Sequence, residues 1–127
     1  MFIKQIRLSE QAKEKLIRLK GKTGIKNWNT LCRWAFCYSI GEDTIPTDIP
    51  ITSDSNVELS WFTFCGEYSE IYEKIMLEWC LEKGIEPCDT EMAKYFKLHL
   101  ERGISYLSGT GFIRSLDDLI YLLKGKR

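Results

Sequence analysis

No part of the 127-residue chain approaches the ~20 consecutive apolar residues that a membrane-spanning helix needs. Its first residues, MFIKQIRLSEQAK, lack an apolar core ahead of a small-residue cleavage site, so a cytoplasmic protein is expected. The five cysteines, at 32, 37, 65, 80 and 88, contain no CxxC pair, and neither a zinc ribbon nor a thioredoxin-like motif is indicated. Cys32 and Cys37 lie about 140° apart around a helix, a poor chelating arrangement, and reduced, mostly buried thiols are expected. A phosphate-cradling loop is also missing. The GKTG at residues 21–24 has neither the upstream glycine nor the strand-to-helix context of a Walker motif. Histidine occurs once, so any histidine acid–base chemistry would fall to His99.

Charge of one sign is lacking overall, with 18 basic and 18 acidic side chains, but the balance is unevenly distributed. Residues 1–40 carry nine basic and two acidic side chains, residues 41–92 two and thirteen, and residues 93–127 seven and three. Such segregation suits either nucleic-acid contact at the basic segment or neutralisation between segments or subunits.

The residue pattern predicts a mainly α fold in one domain over residues 1–127. A short N-terminal strand leads into a helix bundle, and the N-terminal half is ribbon-helix-helix-like. Residues 1–40 form a basic strand–helix–helix segment, 41–66 a loop with short strands, and 67–127 a helical segment. Residues 2–8 alternate imperfectly, with Phe2, Ile6 and Leu8 sharing a face with Lys4. Ser9 can cap a helix reaching about Lys20, with Ala12, Leu16 and Leu19 inward and Lys13 and Lys20 flanking them. Gly21 and Gly24 then read as a turn, either plain punctuation or a subunit contact allowed by the missing side chains.

A second helix from Asn27 or Asn29 is apolar over most of its circumference, through Trp28, Leu31, Cys32, Trp34, Ala35, Phe36 and Tyr38. Arg33 lies on its narrow polar stripe, as an ion-pair partner or a phosphate ligand. The segment 41–56 reads as a loop in which IPIT (residues 49–52) forms a strand. Val57, Leu59 and Trp61 then alternate as strand. Further helices are expected over 67–83, with Tyr68, Ile71, Tyr72, Ile75, Met76 and Trp79 inward, and over 89–107 with Asp89 as cap. A last helix over 115–124 has Asp117 and Asp118 in its first turn and basic residues after its end.

No catalytic constellation emerges. His99 projects among Met92, Tyr95, Phe96 and Gly103, where a packed histidine with one hydrogen bond is expected. Arg102 flanks the same face beside Tyr95 and Tyr106. Asp54 and Glu58 invite a paired-carboxylate reading, against which stands ordinary turn and cap chemistry. The basic segment offers the better lead. Lys4, Arg7, Lys13, Lys15, Lys20, Lys22, Lys26 and Arg33 are the candidate contacts to a DNA backbone, assisted by amides at the start of the second helix. By the ribbon-helix-helix analogy, Ile3, Gln5 and Arg7, or alternatively Lys4, would face bases.

Five motifs carry a closer likeness: IRLS (6–9), TGIKNWNTLCRWAFC (23–37), DSNVELSW (54–61), GEY (66–68) and LHLERGISYL (98–107). In this order they span most of residues 5–107 and resemble the DndE family. That family is the small component of bacterial Dnd systems, which replace a non-bridging phosphate oxygen of DNA with sulfur. The resemblance implies a non-enzymatic, DNA-binding accessory protein with affinity for nicked double-stranded DNA. It also implies a homo-oligomer, a tetramer, working with a cysteine desulfurase and the other Dnd modification proteins; independently of it, no cofactor or metal is expected. The family's lysine-rich DNA surface matches Lys13, Lys20, Lys22 and Lys26. Gly21, Gly24, Trp28 and Trp34 are the candidate subunit contacts. The competing readings are an adaptor that docks the modification enzymes without DNA readout, and a nuclease or sulfur-transfer enzyme using Asp54, Glu58, His99 or a cysteine.

Overall fold

The computed structural model describes residues 2–109 and 114–123. In chain order it contains β1 (Gln5–Arg7), α1 (Glu10–Thr23), α2 (Trp28–Ile40), β2 (Glu58–Ser60), α3 (Trp61–Cys65), α4 (Ser69–Lys83), α5 (Asp89–Leu107) and α6 (Leu116–Leu123). The protein is mainly helical, with one two-stranded antiparallel sheet pairing Gln5 with Ser60, Ile6 with Leu59 and Arg7 with Glu58. The strand–helix–helix order of residues 1–40 is therefore present, and the ribbon is closed within the chain by β2. No helix of the described residues is long and apolar enough to cross a membrane.

Local chemistry explains most boundaries. The Ser9 hydroxyl accepts the Ala12 amide at 3.1 Å and starts α1, and the Asp54 carboxylate takes the Glu10 amide at 2.8 Å. The expected turn at Gly21 is corrected: α1 runs through Gly21 and Lys22 to Thr23. The Thr23 hydroxyl donates back to the Leu19 carbonyl at 2.7 Å and accepts the Ile25 amide at 3.2 Å. Gly24, at φ 75°, then ends the helix in the left-handed conformation that glycine adopts without penalty. Asp89 is likewise the first residue of α5 and not its cap, a position that Cys88 takes. Residues 49–52 form no strand. The run after β2 turns helical at Trp61 because the Ser60 hydroxyl caps the Thr63 amide at 2.9 Å. Asp117 and Asp118 do occupy the first turn of α6, while the basic residues expected beyond it, from Lys124, lie outside the described residues.

One apolar cluster draws residues from every element. At its centre Phe36, Phe64 and Phe96 are fully buried, joined edge to face by Phe2 and Trp61. Helices α2 and α5 supply the closest packing. A Cβ added at Gly103 would fall 1.8 Å from the Ala35 carbonyl oxygen, so only glycine lets the two backbones meet there. On α4 the expected inward face is narrower than the sequence pattern suggested. Met76 and Trp79 are buried, whereas Tyr68 and Ile71 remain more than half exposed.

Candidate nucleic-acid interface

The basic side chains of residues 1–40 divide into three groups. Arg7 and Arg33 are engaged within the protein. Arg7 donates to the Glu58 carboxylate at 2.5 Å and to the Ser55 carbonyl at 2.9 Å, tying β1 to β2. Among the described residues Arg33 forms no ion pair; its guanidinium donates to the Phe64 and Thr63 carbonyls and fixes the end of α3. A planar fork with several donors suits such a double-carbonyl clamp.

Along α1 the lysines lie on two flanks of the buried Ala12, Leu16 and Leu19. Lys13 reaches Asn56 at 2.7 Å, and Lys20 lies 4.2 Å above the Trp28 ring, on one flank. Lys15 donates to Ser105 at 2.8 Å, and Lys22 shares its flank by sevenfold spacing. Lys4, Arg18 and Lys26 are exposed. Among the described residues, Arg7 alone of these nine cations pairs with a carboxylate. Neutralisation within the chain happens elsewhere. The loop of residues 41–56 is strapped to α4 and α5, with Lys94 paired to Asp48 at 3.0 Å and Lys83, Lys97 and Arg102 donating to the Asp43 carbonyl, the Ser53 hydroxyl and Thr44. It is also tied to β1 and α1 through Asp54, Ser55 and Asn56. The N-terminal cations thus keep their charge available to a polyanion.

Helix α2 begins at Asn27 with no side-chain cap and no acidic residue in its first turn. The Asn29 side chain turns away to donate to the Thr63 carbonyl at 3.3 Å. Gly21 and Gly24 open to solvent, with nothing within 4 Å of an added Cβ. Trp28 and Trp34 are half-buried against the core and present their remaining surface outward.

The candidate catalytic groups are dispersed. Asp54 caps α1 and Glu58 pairs with Arg7, so the two carboxylates serve separate structural roles. Burial pushes the Cys32 and Cys65 thiols up to about 12, with nearby Glu101 and Glu73 adding to it. Cys80 is buried as well, and Cys37 and Cys88 are exposed. No group of three or more metal-ligating side chains occurs among the described residues. Arg18 is exposed on the outer face of α1, as its helical spacing predicts, whereas the exposure of Phe62 is not anticipated by the strand reading of its segment. A helical reading of WFTFC would have separated Phe62 from its buried neighbours.

His99 is a packed core residue. Arg102 Nε donates to the Ser39 hydroxyl at 2.8 Å, which leaves that hydroxyl to donate to His99 Nδ1 at 2.8 Å. The proton therefore sits on Nε2, beside the edge of Trp79 at 4.4 Å between centroids. Burial, and then the Arg102 charge, push the imidazole from 6.5 down to about 3. Below pH 6.5 the unfolded chain accepts a proton that the folded protein refuses until about pH 3. Stability contributed by neutral His99 is thus intact above pH 6.5 and falls by about 1.4 kcal/mol per pH unit below it. Urea midpoints between pH 6 and 4 should decline less steeply in His99→Gln than in wild type, by close to one proton. Parallel slopes would mean that His99 is protonated in the fold.

The profile of the family described as DNA sulphur modification protein DndE matches residues 5–115. No curated protein matches the chain. A crystal structure of DndE from Escherichia coli B7A, involved in DNA phosphorothioation modification, superposes with a TM-score of 0.70 at 26% identity, covering 84% of this chain and 98% of that one. A DndE mutant with two glycines replaced by lysine shares the fold, with a TM-score of 0.61 at 20% identity over 80% of this chain and 95% of that one. With the strand–helix–helix segment, its intramolecular ribbon and the match over residues 5–115, the chain belongs to the DndE family of DNA sulphur modification proteins.

Proposed function

We infer that the protein is a DNA-binding accessory component of DNA phosphorothioation, cytoplasmic and without catalysis of its own. It contacts the duplex backbone, including nicked duplex, as a homo-oligomer, a tetramer, alongside the other Dnd modification proteins. One observation carries this reading: the basic N-terminal segment keeps all but one of its cations clear of carboxylates among the described residues. Lys4, Lys13, Lys20, Lys22 and Lys26 contact phosphates, with Lys15 at the margin. Arg7 and Arg33 act through the ribbon and the α3 turn they hold. Phosphate contacts of this kind bind DNA without reading sequence.

Gly21 and Gly24, together with Trp28 and Trp34, form the subunit contact in this reading. Their open surroundings let another backbone approach closely. A docking role for the modification enzymes has its own surface on α4, where Ile71 and Leu81 are exposed among Glu70, Glu78 and Glu82.

Fluorescence anisotropy with labelled intact and nicked duplexes, beside light scattering, tests both parts. Wild type should bind both duplexes and have a mass above one protomer. Gly21→Lys should lower that mass with helicity retained, since a side chain there meets nothing within its own chain. Failure to bind either duplex at low salt would leave the adaptor reading, and an unchanged mass would remove the glycine contact.

A further inference from the structure

Phe62 is an aromatic side chain that the core does not use. At 77% exposure it is the most exposed large apolar residue among the described residues. The turn that carries it is nevertheless fixed on every side. Trp61 and Phe64, to either side of it, are buried and stacked with centroids 5.8 Å apart. The Gly66 amide closes onto the Phe62 carbonyl at 2.8 Å, and Arg33 holds the carbonyls of Thr63 and Phe64. An aromatic ring presented on such a turn loses little further freedom when it binds.

Its position is equally informative. The Trp61 amide donates to the Lys4 carbonyl at 2.8 Å, and the Asn29 side chain donates to the Thr63 carbonyl at 3.3 Å. Phe62 therefore stands between exposed Lys4, which precedes β1, and the start of α2, which follows exposed Lys26 by two residues. Residues 59–66, LSWFTFCG, bear no charge of their own within an otherwise acidic segment. Lysines without carboxylate partners on both sides of a protruding ring match phosphates on both sides of a base. A second copy fits less well, because a symmetric contact centred on Phe62 would bring like lysines of two copies together.

We propose that Phe62 is a stacking wedge that enters the interrupted base step of a nicked duplex while the flanking lysines hold the phosphates. This rests on the DNA-binding reading above. Apolar wedges that enter intact duplex must unstack and kink it. At a break one strand lacks its covalent link, and the same step opens at lower cost. The side chain therefore favours nicked over intact duplex, where the lysines alone would treat the two alike.

The test compares wild type, Phe62→Ala and Phe62→Trp on intact duplex and on nicked duplex carrying 2-aminopurine beside the break. Wild type should prefer the nicked duplex and raise the 2-aminopurine emission. Phe62→Ala should lose about fivefold or more in affinity for nicked duplex, the range of one base–aromatic stack. It should hold its affinity for intact duplex and leave the emission low, and Phe62→Trp should restore both. Equal losses on the two duplexes, no loss, or a wild type without preference would overturn the wedge and leave DNA binding standing. A fall in oligomer mass on Phe62→Ala would reassign the ring to a subunit contact. A wild type that binds neither duplex would overturn the wedge together with the reading it rests on.

Discussion

Replacing Gly103 by alanine should unfold the protein or lower its melting temperature by about 10 °C or more. The added Cβ would lie 1.8 Å from the Ala35 carbonyl oxygen, 2.4 Å from its carbon and 2.9 Å from its Cα. All three atoms are backbone in the middle of α2, so no rotamer change relieves the overlap. Overpacked cores commonly lose about 1–3 kcal/mol when side chains can yield. Here two helices must separate, and the loss should exceed about 3 kcal/mol. Gly21→Ala supplies the contrast within one chemistry. Nothing lies within 4 Å of its Cβ, and it occupies a helical position. Alanine there should stabilise an isolated protomer by about 0.5–1 kcal/mol. Urea denaturation of both variants reads the two signs, and similar midpoints would contradict the α2–α5 packing described above.

Reversing Lys13, Lys20, Lys22 and Lys26 to glutamate should weaken binding to nicked and intact duplex by about a thousandfold or more near 0.1 M salt. Each phosphate neutralised contributes about 0.9 to the slope of log K against log salt, so four lost contacts should flatten it by about 3 to 4. The fold should survive, with a modest cost. Lys20 gives up its place over Trp28, and glutamate at positions 20 and 22 opposes the carboxyl end of α1. Glutamine at the same four positions removes most of the dipole penalty and should still lower affinity at least tenfold. Reversal of Lys94 and Lys97 is the control. Both are tied to the acidic strap, through Asp48 and Ser53, and their loss should change DNA affinity by no more than a few fold. Equal effects of the two sets would show that binding follows net charge and not the N-terminal surface.

The elements visible in the sequence were those decided by neighbours in the chain. The Ser9 cap and the packed position of His99 follow from local spacing, and the structure has both. Gly21 misled because glycine ends helices on average, whereas here the left-handed turn falls at Gly24 and α1 continues through Gly21 to Thr23. WFTFC was ambiguous because a five-residue apolar run fits strand and helix alike, and the Ser60 cap decides between them. Long-range partners were not legible at all. Nothing near Arg33 announces the carbonyls of Thr63 and Phe64, and nothing near Gly103 announces Ala35, 68 positions away. Asp54 and Glu58 looked paired because they are four apart, yet they serve α1 and Arg7 separately. The segregated charge was plain in the sequence, but the partner of the acidic segment was not. It ties to α4 and α5 through Asp43, Asp48 and Ser53 and to α1 and β1 through Asp54 and Glu58, and among the described residues no lysine of residues 1–40 pairs with a carboxylate.

The slope of log K against log salt for the wild-type protein on nicked duplex tests the central claim most directly. Contacts from at least four lysines predict a linear fall steeper than about −3.5. A slope near zero, with binding unaffected by salt, would contradict a DNA surface built from the N-terminal lysines.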